Sequence, residues 1–267
     1  MICQTSLNIC SVHMQSNAAA SRLLKYTLHL ADNALVLGHR NSEWTGHGPI
    51  LEQDIALSNI ALDLIGQSRN FYQYAAVLKG ENDTEDDLAF LRGSSEFLNC
   101  LIVEQDNGDW GKTIVRQFLM SAYLYPLYHM LQHCGDEIIA AIASKSLKEV
   151  TYHLRWSSEW VIRLGQGTSE SHSRITAAVN GLWMYTAELY TPVEYEINLP
   201  EHVAPNYDLI KQEWKNRTEE VFKRAGLMIP FDIEMANGGK MGVHTPALEQ
   251  LLSEMQYMQR TYPGMEW

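Results

Sequence analysis

Residues 51–79 read LEQDIALSNIALDLIGQSRNFYQYAAVLK, and this stretch decides the fold class. Apolar side chains such as Ile55, Leu57 and Leu62 recur at helical spacing and lie on nearly every side of the helix that this spacing implies. The pattern therefore predicts a helix over 51–79 that is buried on several sides. Gly80 follows as the residue expected to end it, because glycine adopts the left-handed backbone of a helix C-terminus without strain.

The same periodicity predicts further helices on both sides of this stretch. Asp109 and Asp136 each precede an apolar helical pattern and are expected to act as N-caps. The other long helices are predicted at 21–44, 109–133 and 136–164, and shorter ones at 171–189, 208–225 and 245–259. Four helices of about 25 residues each, joined as two hairpins, predict an all-α, ferritin-like long four-helix bundle with additional C-terminal helices.

The remaining segments are predicted to connect or extend this bundle. Residues 81–87 are expected to form a solvated acidic linker, and residues 237–242 a turn-rich loop. Prolines at 192, 200 and 205 indicate an extended crossing segment, in which 194–199 carries strand-like alternation. Residues 1–20 are expected to be a flexible N-terminal tail, and residues 21–267 a single ferritin-like helical domain.

Composition and charge exclude several classes of protein. A hydrophobic fraction of 46% excludes intrinsic disorder, and a net charge of −12 argues against binding to nucleic acid or to an anionic membrane surface. The longest uncharged run, 117–135, is interrupted by polar side chains and predicts a core helix rather than a membrane span. The four cysteines show no C-x-x-C spacing and no signal peptide is recognised, so a cytoplasmic protein with reduced thiols is expected.

Long bundles of this type commonly house a carboxylate-bridged di-iron centre. Such a centre needs a Glu from each of two helices and a Glu-x-x-His from each of the other two. No Glu or Asp in the chain is followed by a His three residues later, and Ser121 lies about where an inward Glu is expected. The nearest remnants, interpreted as a buried polar cluster at vestigial di-iron positions, are Glu43, Asp63, Glu149, Tyr152 and His153. No catalytic, cofactor-binding or metal-ligating residue is therefore predicted in this chain.

Two other hypotheses stay open at this point. The chain could be an enzyme with an atypical metal site built from Glu43, Asp63, Glu149 and His153. It could also be a stand-alone helical storage or binding module that needs no partner. Iron content and co-purification with a partner distinguish these hypotheses from a structural role.

Several segments resemble the PaaC subunit family of the phenylacetyl-CoA ring epoxidase. The resemblance covers roughly 23–267, in order and at the spacing of that family. It is carried by Leu37–Trp44 (LGHRNSEW), Asp63–Asn70 (DLIGQSRN), Val103–Gly108 (VEQDNG), Lys148–Arg155 (KEVTYHLR), Gly239–Thr245 (GKMGVHT), Met255–Arg260 (MQYMQR) and Pro263–Trp267 (PGMEW).

The resemblance implies a role in a bacterial multicomponent monooxygenase of aerobic phenylacetate catabolism. It implies that this chain is a structural, ferritin-like subunit without cofactor, which forms a heterodimer with a PaaA-type catalytic subunit and assembles further with other epoxidase subunits. The PaaA-type partner would carry the di-iron centre and the substrate site. Electrons from NADPH would arrive through a reductase subunit with FAD and an iron–sulfur cluster. No contact with nucleic acid or membrane is implied.

Overall fold

The computed structural model describes the backbone of residues 3–80 and 82–265, with side chains from residue 18 onward in these ranges. Within them the chain is helical and contains no β-strand, and single 3-10 turns occur at Ser94–Glu96 and Gly239–Met241. The helices are α1 Cys3–Ser42, α2 Leu51–Lys79, α3 Glu85–Phe90, α4 Leu101–Glu104, α5 Trp110–Leu131, α6 Glu137–Gly165, α7 Ser169–Trp183, α8 Ala187–Tyr190, α9 Glu194–Ile197, α10 Tyr207–Ala225, α11 Pro246–Met255 and α12 Tyr257–Thr261.

The four long helices form the predicted bundle. Helices α1 and α2 make one hairpin, α5 and α6 make the other, and α2 packs against α6 where the hairpins meet. Helices α7 and α10 pack on α5 and α6, so the added helices thicken the side of the second hairpin. The all-α, ferritin-like fold class is confirmed.

Local capping fixes the ends of these helices. The carboxylate of Asp109 accepts a hydrogen bond from the backbone N–H of Lys112, and that of Asp136 accepts from those of Ile138 and Ile139. At the end of α2, Gly80 has a φ of 71° and its N–H donates to the carbonyl of Ala76. Each contact spans at most four residues, which explains why sequence alone located these ends.

Several connecting segments differ from the prediction. Helix α3 begins inside the acidic linker, because Thr84 and Asp87 form a reciprocal capping box at its start. The strand-like stretch 194–199 instead contains helix α9. The helix predicted over 171–189 ends at Trp183, and the final helix is broken between Met255 and Tyr257.

Helix α2 is less enclosed than its sequence predicts. Leu57, Ile60 and Leu64 are buried against α1 and the bundle interior. Leu62, by contrast, is 69% exposed, and Ile55 is exposed as well. The expectation of burial on several sides is therefore wrong for the outward side of α2.

Helix α1 already begins at Cys3, but the side chains of residues 1–17 lie outside the described residues, and the flexible tail over 1–20 stays a prediction. The single domain over 21–267 also stays a prediction. Cys100 and Cys134 are free thiols. Among the described residues, no helix has both the length and the apolar character needed to span a membrane.

Candidate functional site in the polar interior

The seam between α2 and α6 carries three of the residues singled out from the sequence. His153 Nε2 lies 3.0 Å from Asp63 Oδ2. One helical turn away, the Gln67 side-chain amide donates to Glu149 Oε2 at 2.8 Å, and Tyr128 donates to Gln67 Oε1 at 3.3 Å. The two residues on each helix are four positions apart, so the two contacts lie one turn from each other along the antiparallel helices.

The seam continues towards the start of α2. Gln53 Oε1 accepts hydrogen bonds from the indole N–H groups of Trp156 at 3.1 Å and Trp160 at 2.7 Å. The α2–α6 seam therefore joins the two hairpins through side-chain hydrogen bonds as well as apolar packing.

Glu43 and Tyr152 lie away from this seam. Glu43 sits beyond the end of α1, where its carboxylate accepts from Arg40 at 2.8 Å and from the side-chain amide of Asn107 at 2.6 Å. Tyr152 precedes His153 on α6 and is exposed, with the two ring centroids 6.3 Å apart. The structure thus brings Asp63, Glu149 and His153 onto one seam and leaves the other two residues outside it.

The interior between α1 and α5 contains a neutral hydrogen-bonded chain. Asn41 donates to Gln117 Oε1 at 2.7 Å, and Gln117 donates to Ser121 Oγ at 2.9 Å. All three side chains are fully buried. Ser121, at the position considered for an inward carboxylate, is thus a hydrogen-bond acceptor for an amide.

These residues do not fit a di-iron centre. The centre requires carboxylates from all four helices together with two imidazoles. The interior offers neutral amides and a hydroxyl near α1 and α5, while His153 is paired with Asp63 on the α2–α6 seam. In the part of the chain that the structure describes, no three or more His, Cys, Asp or Glu residues form a group that could hold a metal ion.

Charged side chains are also buried, and one buried ion pair joins α1 to the segment after α3. Asp32 on α1 forms an ion pair with Arg92 and accepts hydrogen bonds from Tyr72 at 2.5 Å and from the backbone N–H of Leu98 at 2.8 Å. Burial works against the charged guanidinium, but the facing Asp32 carboxylate outweighs it and raises the pKa of Arg92. This centre fixes the segment after α3 against the first hairpin.

A second buried centre surrounds Lys240. Its ammonium group donates to both carboxylate oxygens of Glu196 at 3.0 and 3.1 Å, and neither side chain is exposed. Tyr207 donates to Glu196 Oε1 at 2.6 Å. Burial alone would raise the pKa of Glu196, but the charge of Lys240, the nearby His29 and the Tyr207 hydrogen bond hold it below its ordinary value.

A third buried centre surrounds Glu104. Its Oε1 accepts from the backbone N–H of Thr245 at 2.7 Å, and its Oε2 lies 2.8 Å from His244 Nδ1. The other ring nitrogen of His244 lies 2.8 Å from the carbonyl oxygen of Phe97. Since both partners are acceptors, only the protonated imidazolium satisfies both contacts. The pKa of His244 is accordingly raised, because these hydrogen bonds outweigh the effect of burial.

The last two centres hold residues 238–245, which include most of the loop at 237–242 that the sequence predicted only as turn-rich. A Cβ at Gly239 would overlap the carbonyl oxygen of Asn99, so glycine is required for this close approach. The sequence feature that could have pointed to these two centres is the glycine-rich motif GKMGVHT at 239–245, which contains a lysine and a histidine. The motif carried the family resemblance, but nothing local marked its charged residues as buried.

Comparison with known proteins adds two findings. Residues 9–267 match a family described as phenylacetic acid catabolic protein. The chain is also 45% identical over 248 residues to the C-type subunit of the 1,2-phenylacetyl-CoA epoxidase of Escherichia coli (strain K12). That alignment covers 92% of this chain and 100% of the relative.

Proposed function

The chain belongs to the phenylacetic acid catabolic protein family, and from this premise we propose that it is a non-catalytic structural subunit of a phenylacetyl-CoA epoxidase. The oxygenase epoxidises the aromatic ring of phenylacetyl-CoA in aerobic phenylacetate degradation, in the cytoplasm. This subunit supports and orients a PaaA-type catalytic subunit, which holds the di-iron centre and pairs with it in a heterodimer that assembles further. Electrons come from NADPH through the reductase subunit with its FAD and iron–sulfur cluster.

The observation that carries this proposal is the neutral chain from Asn41 through Gln117 to Ser121. A ferritin-like enzyme needs carboxylates inside its bundle, because they balance the charge of two iron ions. These three buried side chains are neutral and hydrogen-bond to one another, so they tie α1 to α5 without offering charge to a metal. This arrangement supports a structural role for the bundle rather than a role in housing an active site.

The α2–α6 seam supports the same role. Asp63 and Glu149 are each engaged with a side chain of the opposite hairpin, His153 and Gln67 respectively. Glu43, which the alternative of an atypical metal enzyme requires, is engaged with Arg40 and Asn107 instead. Asp63 and Glu149 therefore serve as contacts between helices, and Glu43 joins the end of α1 to the loop before α5.

The test is a Glu149→Gln variant in the reconstituted epoxidase. The amide is nearly isosteric and still offers an oxygen to Gln67, so we expect turnover within a few-fold of wild type and a modestly lower melting temperature. Loss of a positioned acid–base group would instead lower turnover by about 10²-fold or more. Such a loss with unchanged melting temperature would refute the structural assignment.

Iron analysis of the separated subunits provides the second readout. We expect less than stoichiometric iron in this chain after growth with ample iron, and the metal in the catalytic subunit. About two tightly bound irons in this chain would contradict the proposal, since that is the number a di-iron site holds. Arg174→Met, on the exposed surface of α7, serves as a control for handling and reconstitution.

A further inference from the structure

A cavity of about 690 Å³ lies at the end of α5, between this helix and the segment 201–206 that precedes α10. We call it the α5 end cavity. Three histidines line it, His129 and His133 from the end of α5 and His202 from the facing segment. All three residues are exposed to solvent, and none of them belongs to the polar interior described above. The chain thus gathers three imidazoles around one accessible cavity.

His129 and His133 lie side by side at the end of α5. Their ring centroids are 6.1 Å apart. Helix α5 ends at Leu131, but the backbone N–H of His133 donates to the carbonyl of Met130 at 3.1 Å, so the chain turns on tightly and keeps His133 beside His129. Two imidazoles that bind one metal ion through nitrogens at about 2.0–2.1 Å have ring centres about 5–6 Å apart. A small rotation of these exposed rings is enough to reach that geometry.

Local contacts hold the walls of the α5 end cavity in place. The ring of Tyr125 stacks on that of His129, with centroids 6.5 Å apart and planes 19° apart, which restricts the orientation of His129. The backbone N–H of Gly135 donates to the carbonyl of His202 at 2.6 Å. A Cβ at Gly135 would lie 2.9 Å from the Cβ of His202, so glycine permits this close approach. His202 is therefore fixed by its backbone beside the other two histidines.

The electrostatic surroundings favour a cation. The last turn of a helix carries a partial negative charge on its free carbonyl groups, and the α5 end cavity lies at such an end. Glu201 lines the cavity, and no Lys or Arg is found among the described residues that line it. Cys134 lines it as well, but burial raises the pKa of its thiol, which donates to the carbonyl of Asp136 at 3.5 Å. The imidazole nitrogens are therefore the ligands at hand, because a neutral imidazole offers one nitrogen to a metal.

We propose that the α5 end cavity binds one divalent transition-metal ion through His129 and His133, with His202 as the third ligand once its exposed ring turns towards them. Among the described residues no group of three or more metal-ligating side chains is already in place, so rotation of His202 and solvent complete the site. Imidazole suits zinc, copper and nickel, and iron(II) binds more weakly than these ions in the usual order of affinities. The inference goes beyond the proposed function and does not depend on it.

The bound ion would act as a structural link. His129 and His133 belong to the end of α5, whereas His202 belongs to the segment that leads into α10. An ion held by both sides joins two parts of the chain that are about 70 positions apart in the sequence. Because the unfolded chain does not present this site, the ion should stabilise the folded chain in a concentration-dependent way.

Zinc titration of the full chain tests the proposal. After treatment with a chelator, isothermal titration calorimetry with zinc chloride should give one ion per chain. We expect His129→Gln and His133→Gln each to weaken binding at least tenfold, since each variant leaves one imidazole of the pair. His47→Gln is the matched control, because His47 is also exposed but lies away from the cavity, with its ring nitrogen 3.2 Å from the carbonyl of Thr45. It should bind zinc as wild type does.

Thermal unfolding gives a second measurement. Zinc should raise the melting temperature of wild type and leave that of the double variant His129→Gln/His133→Gln unchanged. Without zinc all these variants should melt as wild type does, because the substituted side chains are exposed. His202→Gln should weaken zinc binding at least threefold, a smaller loss than for the other two because the pair remains.

The outcomes separate this inference from the proposed function. Zinc affinity that is unchanged in both His129→Gln and His133→Gln would overturn the inference, and so would failure of wild type to bind zinc at about 1 mM. Wild-type affinity in His202→Gln would overturn the assignment of the third ligand. None of these results bears on the iron analysis or on turnover of the epoxidase, which test the proposed function.

Discussion

Replacing Lys240 with methionine removes one member of its buried ion pair with Glu196. The two side chains have similar length and shape, so Lys240→Met removes the positive charge with little change in packing. Glu196 then stays buried with its Tyr207 hydrogen bond but without its counter-ion. His29 lies 3.8 Å from Glu196, and burial and the charge of Lys240 both lower the pKa of His29. In the variant burial alone still opposes protonation of this imidazole.

The expected effect is large because both partners are fully buried. Removing one member of a buried pair destabilises a protein by about 3–5 kcal/mol. A single-domain protein is stable by about 5–15 kcal/mol, so the variant loses a substantial part of its stability. For a chain of this size each kcal/mol corresponds to about 2–4 °C, which gives a fall in melting temperature of about 6–20 °C. Adding Glu196→Gln removes the unpaired charge and should recover at least half of the loss.

The assay is denaturant unfolding at several pH values, followed by circular dichroism. In wild type the pKa of Glu196 lies below its ordinary value, so its contribution is present above the ordinary pKa and is lost as pH falls through the lowered one. In Lys240→Met the buried carboxylate of Glu196 has lost the lysine charge, so burial raises its pKa. Protonation of Glu196 then removes the cost of burying an unpaired charge. The stability gap between the two proteins should therefore narrow on acidification. A loss below about 1 kcal/mol that does not change with pH would refute this reasoning, because leaving one member of a buried pair without its counter-ion costs more.

Three further variants test the other buried contacts. His244→Gln should remove a contribution to stability that depends on pH. In wild type this contribution is fully present below the ordinary pKa of histidine and is lost as pH rises through the raised pKa of His244. Unfolding measured at a series of pH values from acidic to alkaline would detect the difference. Tyr72→Phe deletes the donor to Asp32 and should cost about 1–3 kcal/mol in denaturant unfolding, because the acceptor is a buried carboxylate. Gly239→Ala should lower the melting temperature clearly, since its Cβ overlaps the carbonyl of Asn99.

Each of these three predictions has an outcome that would contradict it. For His244→Gln this is a pH profile of stability parallel to that of wild type. For Tyr72→Phe it is unchanged stability. Gly181→Ala is the control for Gly239→Ala, because it adds a Cβ in open space and should stabilise the chain by about 0.5–1 kcal/mol. Equal effects of the two alanines would show that steric overlap is not the cause.

The bundle was predictable because its signals are local. The apolar periodicity of 51–79 links residues about one helical turn apart, and the caps at Asp109 and Asp136 bond to residues within the first turn. The helices begin and end close to the positions that these signals predict. The outward side of α2 was misjudged for a physical reason. An apolar side chain that stays exposed on a helix can have the same sequence pattern as one that faces the core, as Ile55 and Leu62 do.

The buried charges were not predictable in the same way. Asp32 and Arg92 are 60 residues apart, and His244 and Glu104 are 140 apart, so no local spacing connects them. A charged residue in a loop is normally solvated, and only the folded chain brings the partner that makes burial possible. The metal-site pattern therefore pointed to Glu43, Asp63, Glu149, Tyr152 and His153, while the buried electrostatic centres formed around other residues.

The contacts of Arg40 have a consequence for the order in which the newly made chain can mature. The guanidinium of Arg40 donates to the carbonyl of Ala247, 207 residues later. The centre around Glu104 likewise forms only after His244 and Thr245 have been translated. At about 5–20 residues per second, a ribosome needs roughly 10–40 s to add that intervening length. During this interval the first hairpin exists with its charged groups only partly matched. The segment around 240–247 thus completes the contacts of residues that were translated long before it, and a nascent chain that ends ahead of residue 240 lacks these contacts.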